Sequence, residues 1–291
     1  METLSCDPKR KVFQPDSQSC PIDSAAGRSI LKTMISSSLP GLTPADVALF
    51  QEEGYLIVRG LLDPAADLDP IIAEYHGVLD QLATELYAKG EVRSTYSDLD
   101  FSERLIRLCQ DSKRIQSQYF DFSLPQKNIR ADTPLWVGPA VFRTLRNTRL
   151  LDAAECLIGP EIYSNPVQHV RLKLPEDRAV CDPEGRILEG VTVWHQDNGV
   201  VLPEADETDM LTIWFPLWDA PIESGCLKLI PRSRTRGLRD HCPVHGGVAI
   251  PDKLLELDEL AGTLGITNDD APKSDDTPAS DGKPRGCLLY T

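Results

Sequence analysis

The order of secondary-structure signals along the chain most constrains its fold. Before about residue 160, apolar residues recur at helical spacing, as from Ile71 to Leu86, which predicts an amphipathic helix ending near Gly90. After residue 160, short β-like runs are separated by turn signals. Helices followed by short strands predict an α+β, mainly β chain, with helices packed outside a sandwich or barrel. The predicted strands are Val167–Leu174, Val191–His195, Met210–Leu217 and Cys226–Ile230.

The first half also contains clear helix boundaries. Thr43 suits an N-cap, Pro44 suits the first helical position, and Gly54 suits the C-cap of the same helix. The β-rich run Tyr55–Gly60 after it predicts a strand. A further helix is predicted over Phe142–Leu157, before a Gly-Pro stop.

Composition changes divide the chain into a lead-in and one domain. Residues 1–40 are predicted to be a flexible N-terminal segment, and residues 41–291 a single domain. Within that domain, residues 268–282 are rich in Asp, Pro, Ser and Gly, which predicts a disordered loop.

Net charge limits the partners of the chain. With 45 acidic against 30 basic side chains, the formal net charge of the 291 residues is −15. Such a chain repels phosphate backbones and anionic lipid surfaces, so we expect neither nucleic acid nor membrane as a partner. The N-terminus has no apolar signal region, and the eight scattered cysteines include no CxxC pair. We therefore expect a cytoplasmic or other intracellular protein with reduced thiols, several of them buried.

The sequence Trp194-His195-Gln196-Asp197 offers a candidate metal site. In an extended strand, residues i and i+2 face the same side, so the imidazole of His195 and the carboxylate of Asp197 can converge. Non-haem Fe(II) oxygenases hold iron with two histidines and one carboxylate, of which this motif supplies two groups. A lone His-x-Asp also arises by chance as a hydrogen-bonded surface pair, and the motif alone leaves both interpretations open.

Several motifs occur in a fixed order between about residue 40 and residue 291: Leu42-Thr43-Pro44, Gly54-Tyr55-Leu56, Arg59-Gly60, Trp194 to Asp197, Leu211 to Leu217, Glu223 to Leu227, Ile230 to Ser233, and His241-Cys242-Pro243. Together they resemble the phytanoyl-CoA dioxygenase family. The resemblance implies a double-stranded β-helix, or jelly-roll, with N-terminal flanking helices. It also implies Fe(II), 2-oxoglutarate as cosubstrate, and O2.

The resemblance also implies residue roles. His195 and Asp197 match the iron ligands, and Trp214 matches an aromatic residue beside the cosubstrate. Gln168 and Arg171, on the preceding predicted strand, are weaker candidates for cosubstrate or substrate contact. Core packing is the alternative for Trp214, and a solvated strand face is the alternative for Gln168 and Arg171.

The remaining histidines fit the pattern less well. His241 is a weak candidate for a substrate contact, whereas His76 and His169 are interpreted as structural. The family pattern has a second histidine ligand and a 2-oxoglutarate-binding arginine after the Asp. Here Lys283 to Tyr290 resembles the lead-in to that strand, and neither His241 nor His245 stands in the expected place. The last core strands are therefore expected to be missing.

Two functions follow from these observations. The first is an Fe(II)- and 2-oxoglutarate-dependent dioxygenase acting on a small apolar metabolite or an acyl substrate, with this chain inactive if the missing ligand is decisive. The second is a non-catalytic binding protein on the same scaffold. A small-molecule substrate is expected for the enzyme.

Overall fold

The N-terminal half of the chain is helical. The computed structural model describes residues 42–125, 129–165, 168–181, 188, 192–199, 201, 204, 208–218, 220–221, 226–244, 247–251, 254–255, 264–266 and 286–290. The predictions for residues 1–40 and 268–282 lie outside these ranges. The α-helices are α1 (Pro44–Glu53), α2 (Asp69–Ala88), α3 (Phe101–Ser112), α4 (Pro139–Thr144) and α5 (Thr148–Ile158), and single turns occur at Pro64–Leu68, Ser117–Tyr119, Glu176–Arg178, Asp197–Gly199 and Ser233–Arg236.

Helix α1 has the predicted caps. The Thr43 hydroxyl accepts a hydrogen bond from the Asp46 amide at 3.2 Å, and the Asp46 carboxylate accepts one from the Thr43 amide at 2.7 Å. This reciprocal pair satisfies amide groups that the first turn leaves open. Gly54 ends the helix with φ of 82°, a conformation that favours glycine. The prediction for this helix is confirmed.

The single helix predicted over Phe142–Leu157 is wrong, because the chain forms α4 and α5 instead. Asn147 has an extended backbone, and its side-chain oxygen accepts hydrogen bonds from the Arg149 and Leu150 amides. An asparagine in that role begins a new helix. Asp67 fixes the junction, since it accepts hydrogen bonds from the side chains of Asn147 and Arg149.

The described strands are short and antiparallel. A three-stranded sheet has the order β1 (Tyr55–Arg59), β7 (Gly286–Tyr290), β2 (Thr212–Trp214). Tyr55 lies opposite Tyr290, and Trp214 lies opposite Leu288. Two further pairs are β3 with β6 and β4 with β5. Their bounds are Leu227–Leu229, Leu264–Ile266, Cys242–Val244 and Gly247–Ala249.

Half of the predicted strands after residue 160 are confirmed in place, as β2 and β3. The described parts of Val167–Leu174 and Val191–His195 are not strands, and those predictions are wrong. The Gln168 amide donates to the Ser123 hydroxyl at 2.7 Å, and the Val170 amide donates to the Asp121 carboxylate at 3.1 Å. A ladder needs backbone carbonyl acceptors at these positions, and side chains replace them here.

Two clusters of apolar side chains hold these elements together. The first core cluster lies between α2, α3 and α4, and the second lies between α1, β1 and α5. The residues of the first are Ile71, Tyr75, Val78, Leu79, Leu82, Ala83, Leu86, Val92, Phe101, Leu105, Leu108, Cys109, Phe120, Ala140, Val141 and Val180. Those of the second are Phe50, Leu56, Val58, Leu61, Leu62, Leu68, Leu150 and Ala153.

The described cysteines include both thiols and a disulfide-bonded residue. Cys109 and Cys226 are buried and form no disulfide, as expected of several cysteines. Cys242 is disulfide-bonded, so the expectation of reduced thiols is wrong there.

Among the described helices, none has the length and apolar character that a membrane crossing requires.

Candidate metal centre

The His195 and Asp197 side chains converge. The chain runs through residues 192–196 and then enters the 3₁₀ turn that begins at Asp197. The His195 Nε2 lies 3.3 Å from the Asp197 Oδ1, and the two side chains are 30% and 23% exposed. Two ligands at right angles, each about 2.1 Å from one ion, would be about 3 Å apart. The observed separation therefore suits two neighbouring ligands of a metal that solvent and a substrate can still reach.

The backbone fixes the tautomer of His195. Its Nδ1 lies 2.8 Å from the Val193 carbonyl oxygen, which can only accept, so Nδ1 carries a proton. This leaves Nε2 facing Asp197, and metal-bound histidines commonly hold their second nitrogen in the same way. The hydrogen bond to Asp197 raises the pKa of His195, outweighing burial, which acts to lower it.

Asp197 is fixed by a second contact. Its Oδ2 accepts a hydrogen bond from the hydroxyl of Thr212, the first residue of β2. Burial acts to raise the pKa of Asp197, but the hydrogen bonds from His195 and Thr212 outweigh it and lower the pKa overall. The carboxylate is therefore ionised at neutral pH, the form in which it binds cations.

A loop supports the motif through Gln196, the residue between the two candidate ligands. The Gln196 Oε1 accepts from the Arg239 amide at 2.7 Å, and its Nε2 donates to the Gly237 carbonyl at 3.1 Å. The backbone N–H of Gln196 donates to Nε2 of His241 at 2.9 Å. The His241 Nδ1 lies 2.8 Å from the Arg239 carbonyl, so both ring nitrogens of His241 have backbone partners.

The same histidine closes tightly over the turn after Asp197. A methyl group at Gly199 would lie 2.0 Å from the Cε1 of His241, well inside contact distance. Gly199 is therefore the residue that lets His241 approach. The Ile250 amide donates to the Trp194 carbonyl at 2.8 Å and supports the other end of the motif. The predicted substrate contact of His241 stays a prediction, whereas its contact with the motif is direct.

Trp214 shares a strand face with the residue that holds Asp197. Leu211, Ile213 and Phe215 pack against the second core cluster. Side chains alternate across a strand, so Thr212 and Trp214 lie on the opposite face. Thr212 contacts Asp197 from that face. Trp214 therefore lies on the same face as Thr212, and its role beside the cosubstrate stays a prediction.

Gln168 and Arg171, the two candidate residues on the segment before the motif, have different surroundings. The Gln168 side chain donates to the Ser164 hydroxyl at 3.1 Å and to the Asn165 carbonyl at 2.6 Å, so its polar contacts are local. The structure does not bring the Gln168 amide group to His195 and Asp197. Arg171 is exposed. Both roles stay predictions.

The described part of the chain brings two candidate ligands together, His195 and Asp197. Among those residues, no group of three or more His, Cys, Asp or Glu side chains is arranged to hold a metal ion. His245 lies outside the described residues. Sequence reasoning missed Thr212 and the Gln196 contacts, because a threonine 15 residues after Asp197 and a loop 41–45 residues after Gln196 have no local signature.

Comparison with known proteins identifies the family of the chain. The family model "Phytanoyl-CoA dioxygenase (PhyH)" matches residues 50–278, which include both candidate ligands. The chain belongs to the phytanoyl-CoA dioxygenase family, whose members are generally Fe(II)- and 2-oxoglutarate-dependent.

Two curated proteins show similarity. The chain is 26% identical over 213 residues to phytanoyl-CoA dioxygenase domain-containing protein 1 of Danio rerio, covering 68% of this chain and 67% of that protein. A 104-residue stretch, 34% of the chain, is 27% identical to 12% of envelope glycoprotein gp160 of human immunodeficiency virus type 1 group M subtype D (isolate Z6). That stretch is too small a part of the glycoprotein to bear on function. No solved structure gives a significant match.

Proposed function

We propose that this chain is an Fe(II)- and 2-oxoglutarate-dependent oxygenase whose protein ligands include His195 and Asp197. The substrate class is a small apolar metabolite or an acyl compound. We also propose that the domain is a double-stranded β-helix, consistent with the antiparallel sheets and with helices packed outside them. The observation that supports the proposal best is the 3.3 Å approach of the His195 Nε2 to the Asp197 Oδ1.

The donor set fits a divalent cation. When His195 is protonated, its Nε2 donates to Oδ1 of Asp197, and a cation can take the place of that proton. An imidazole with a carboxylate suits iron and similar first-row metals better than it suits calcium or magnesium. Bound Fe(II) would supply O2 activation coupled to oxidative decarboxylation of the cosubstrate.

The remaining residues of the site position these groups. The Val193 carbonyl keeps a proton on the Nδ1 of His195, and the Thr212 hydroxyl holds the Oδ2 of Asp197. The carboxylate therefore presents Oδ1 to the centre. In this proposal Trp214 lines the side where the cosubstrate binds, and its bulk excludes water from the reacting groups.

Anaerobic titration with Fe(II), or with Mn(II) as an air-stable substitute, tests the proposal by calorimetry. We expect one metal per chain, with binding lost in the His195→Ala variant because one of two identified ligands is removed. Asp132→Asn removes an exposed carboxylate elsewhere and serves as the control. Succinate formation from 2-oxoglutarate in air then tests turnover. A folded wild-type chain without metal affinity would refute the proposal and favour a non-catalytic binding protein.

A further inference from the structure

The segment before the motif presents basic side chains on one face. Val170, Leu172 and Leu174 pack against the first core cluster. Of the side chains that alternate with them, His169 and Arg171 are exposed and Lys173 is half-buried. We call this set, His169, Arg171 and Lys173, the cationic row. Its direction is fixed by the burial of the apolar residues that alternate with it.

A buried carboxylate orients the first member of the row. Asp121 is only 6% exposed, and its Oδ2 lies 3.0 Å from the Nδ1 of His169. The Val170 amide donates to the other oxygen of the same carboxylate at 3.1 Å. Because a carboxylate only accepts, Nδ1 of His169 donates to it, and the opposite edge of the ring, with Nε2, faces away from Asp121.

The cationic row lies beside the candidate metal centre. The Lys173 Nζ donates to the Thr192 hydroxyl at 2.5 Å, and Thr192 is close in sequence to His195. This hydrogen bond holds the end of the row against the segment that leads into the motif.

Local charge defines what such a row binds. The chain carries a net charge of −15, so Arg171 and Lys173, two cationic side chains on one face, oppose its overall field. Arginine presents a planar pair of donors that matches a carboxylate. We propose that the cationic row, with Arg171 at its centre, binds a carboxylate group of a compound that reacts at the candidate metal centre. This inference rests on the proposed function and adds a substrate class, an apolar carboxylic acid.

Calorimetry on the metal-free chain tests the anion site separately from the metal. Decanoate is the probe, and decanol is its uncharged counterpart. We expect decanoate to bind, decanol to bind more weakly, and Arg171→Met to weaken decanoate by about tenfold or more, since a charge-assisted hydrogen bond is lost. Arg171→Lys keeps the charge without the paired donors and should fall between the two. Arg143→Met, on α4, is the control and should match the wild type.

A second titration identifies the source of the carboxylate. With Mn(II) bound, Arg171→Met should weaken decanoate and leave 2-oxoglutarate unchanged, whereas a loss confined to 2-oxoglutarate would assign the row to the cosubstrate and overturn the proposed substrate class. The proposal is overturned if decanoate does not bind the wild type, or if Arg171→Met leaves both ligands unaffected. If the wild type does not bind Mn(II), the proposed function is refuted. The decanoate titration of the metal-free chain would still decide whether the anion site exists.

Discussion

Replacing Gln196 tests whether the candidate ligands depend on the loop behind them. The Gln196 side chain is not part of the contact between His195 and Asp197. Instead it accepts from the Arg239 amide at 2.7 Å and donates to the Gly237 carbonyl at 3.1 Å. Gln196→Ala removes both bonds, which at about 0.5–1.5 kcal/mol each predicts a loss of about 1–3 kcal/mol of unfolding free energy.

Metal affinity is the decisive measurement for this variant. Because supporting contacts of metal ligands are worth about 10–100-fold in affinity, Gln196→Ala should weaken Mn(II) binding by that factor. Gln196→Glu should not restore it, since a second oxygen would then face the Gly237 carbonyl. Gln110→Ala is the control, because that exposed glutamine on α3 also donates to a carbonyl. A folded Gln196→Ala chain with wild-type affinity would show that the loop does not position the ligands.

Three further predictions address other contacts. Gly138→Ala should lower the free energy of unfolding in urea by about 1–3 kcal/mol, because the added methyl group would lie 2.2 Å from the Glu74 carboxylate. That carboxylate accepts hydrogen bonds from three donors near the start of α4. Gly77→Ala is the control, since Gly77 has open space around it. Burial acts to raise the pKa of Asp121, but hydrogen bonds lower this pKa overall. The ionised Asp121 therefore stabilises the fold fully above the unfolded-state pKa of about 4, and this stabilisation is lost as the pH falls through the lower folded-state pKa. Asp121→Asn should therefore give an unfolding free energy that changes less with pH in acid. Thr212→Val should weaken Mn(II) binding about tenfold, and Thr212→Ser should restore it.

The elements predicted correctly from sequence are those that local chemistry determines. The capping box and the C-terminal Gly54 of α1 lie within a few residues of the helix they bound, so the sequence pattern contains all the partners. The helix predicted over Phe142–Leu157 was wrong because the Asn147 cap interrupts it, and a distant carboxylate holds that cap in place. Asn147 begins α5 while binding Asp67, 80 residues earlier, and helical periodicity does not register such a contact.

The contacts of the candidate site also separate into local ones, which the sequence predicts, and distant ones, which it does not. The i, i+2 spacing predicted that His195 and Asp197 share a face, and the Val193 carbonyl that orients the imidazole is equally local. The orientation of the carboxylate depends instead on Thr212, and the path of the backbone depends on a loop more than 40 residues away. A His-x-Asp sequence therefore identifies which atoms can meet, whereas the packing of the later segments decides whether they do. Variants in those later segments, and not in the motif alone, should consequently separate metal-binding relatives from those that retain only the fold.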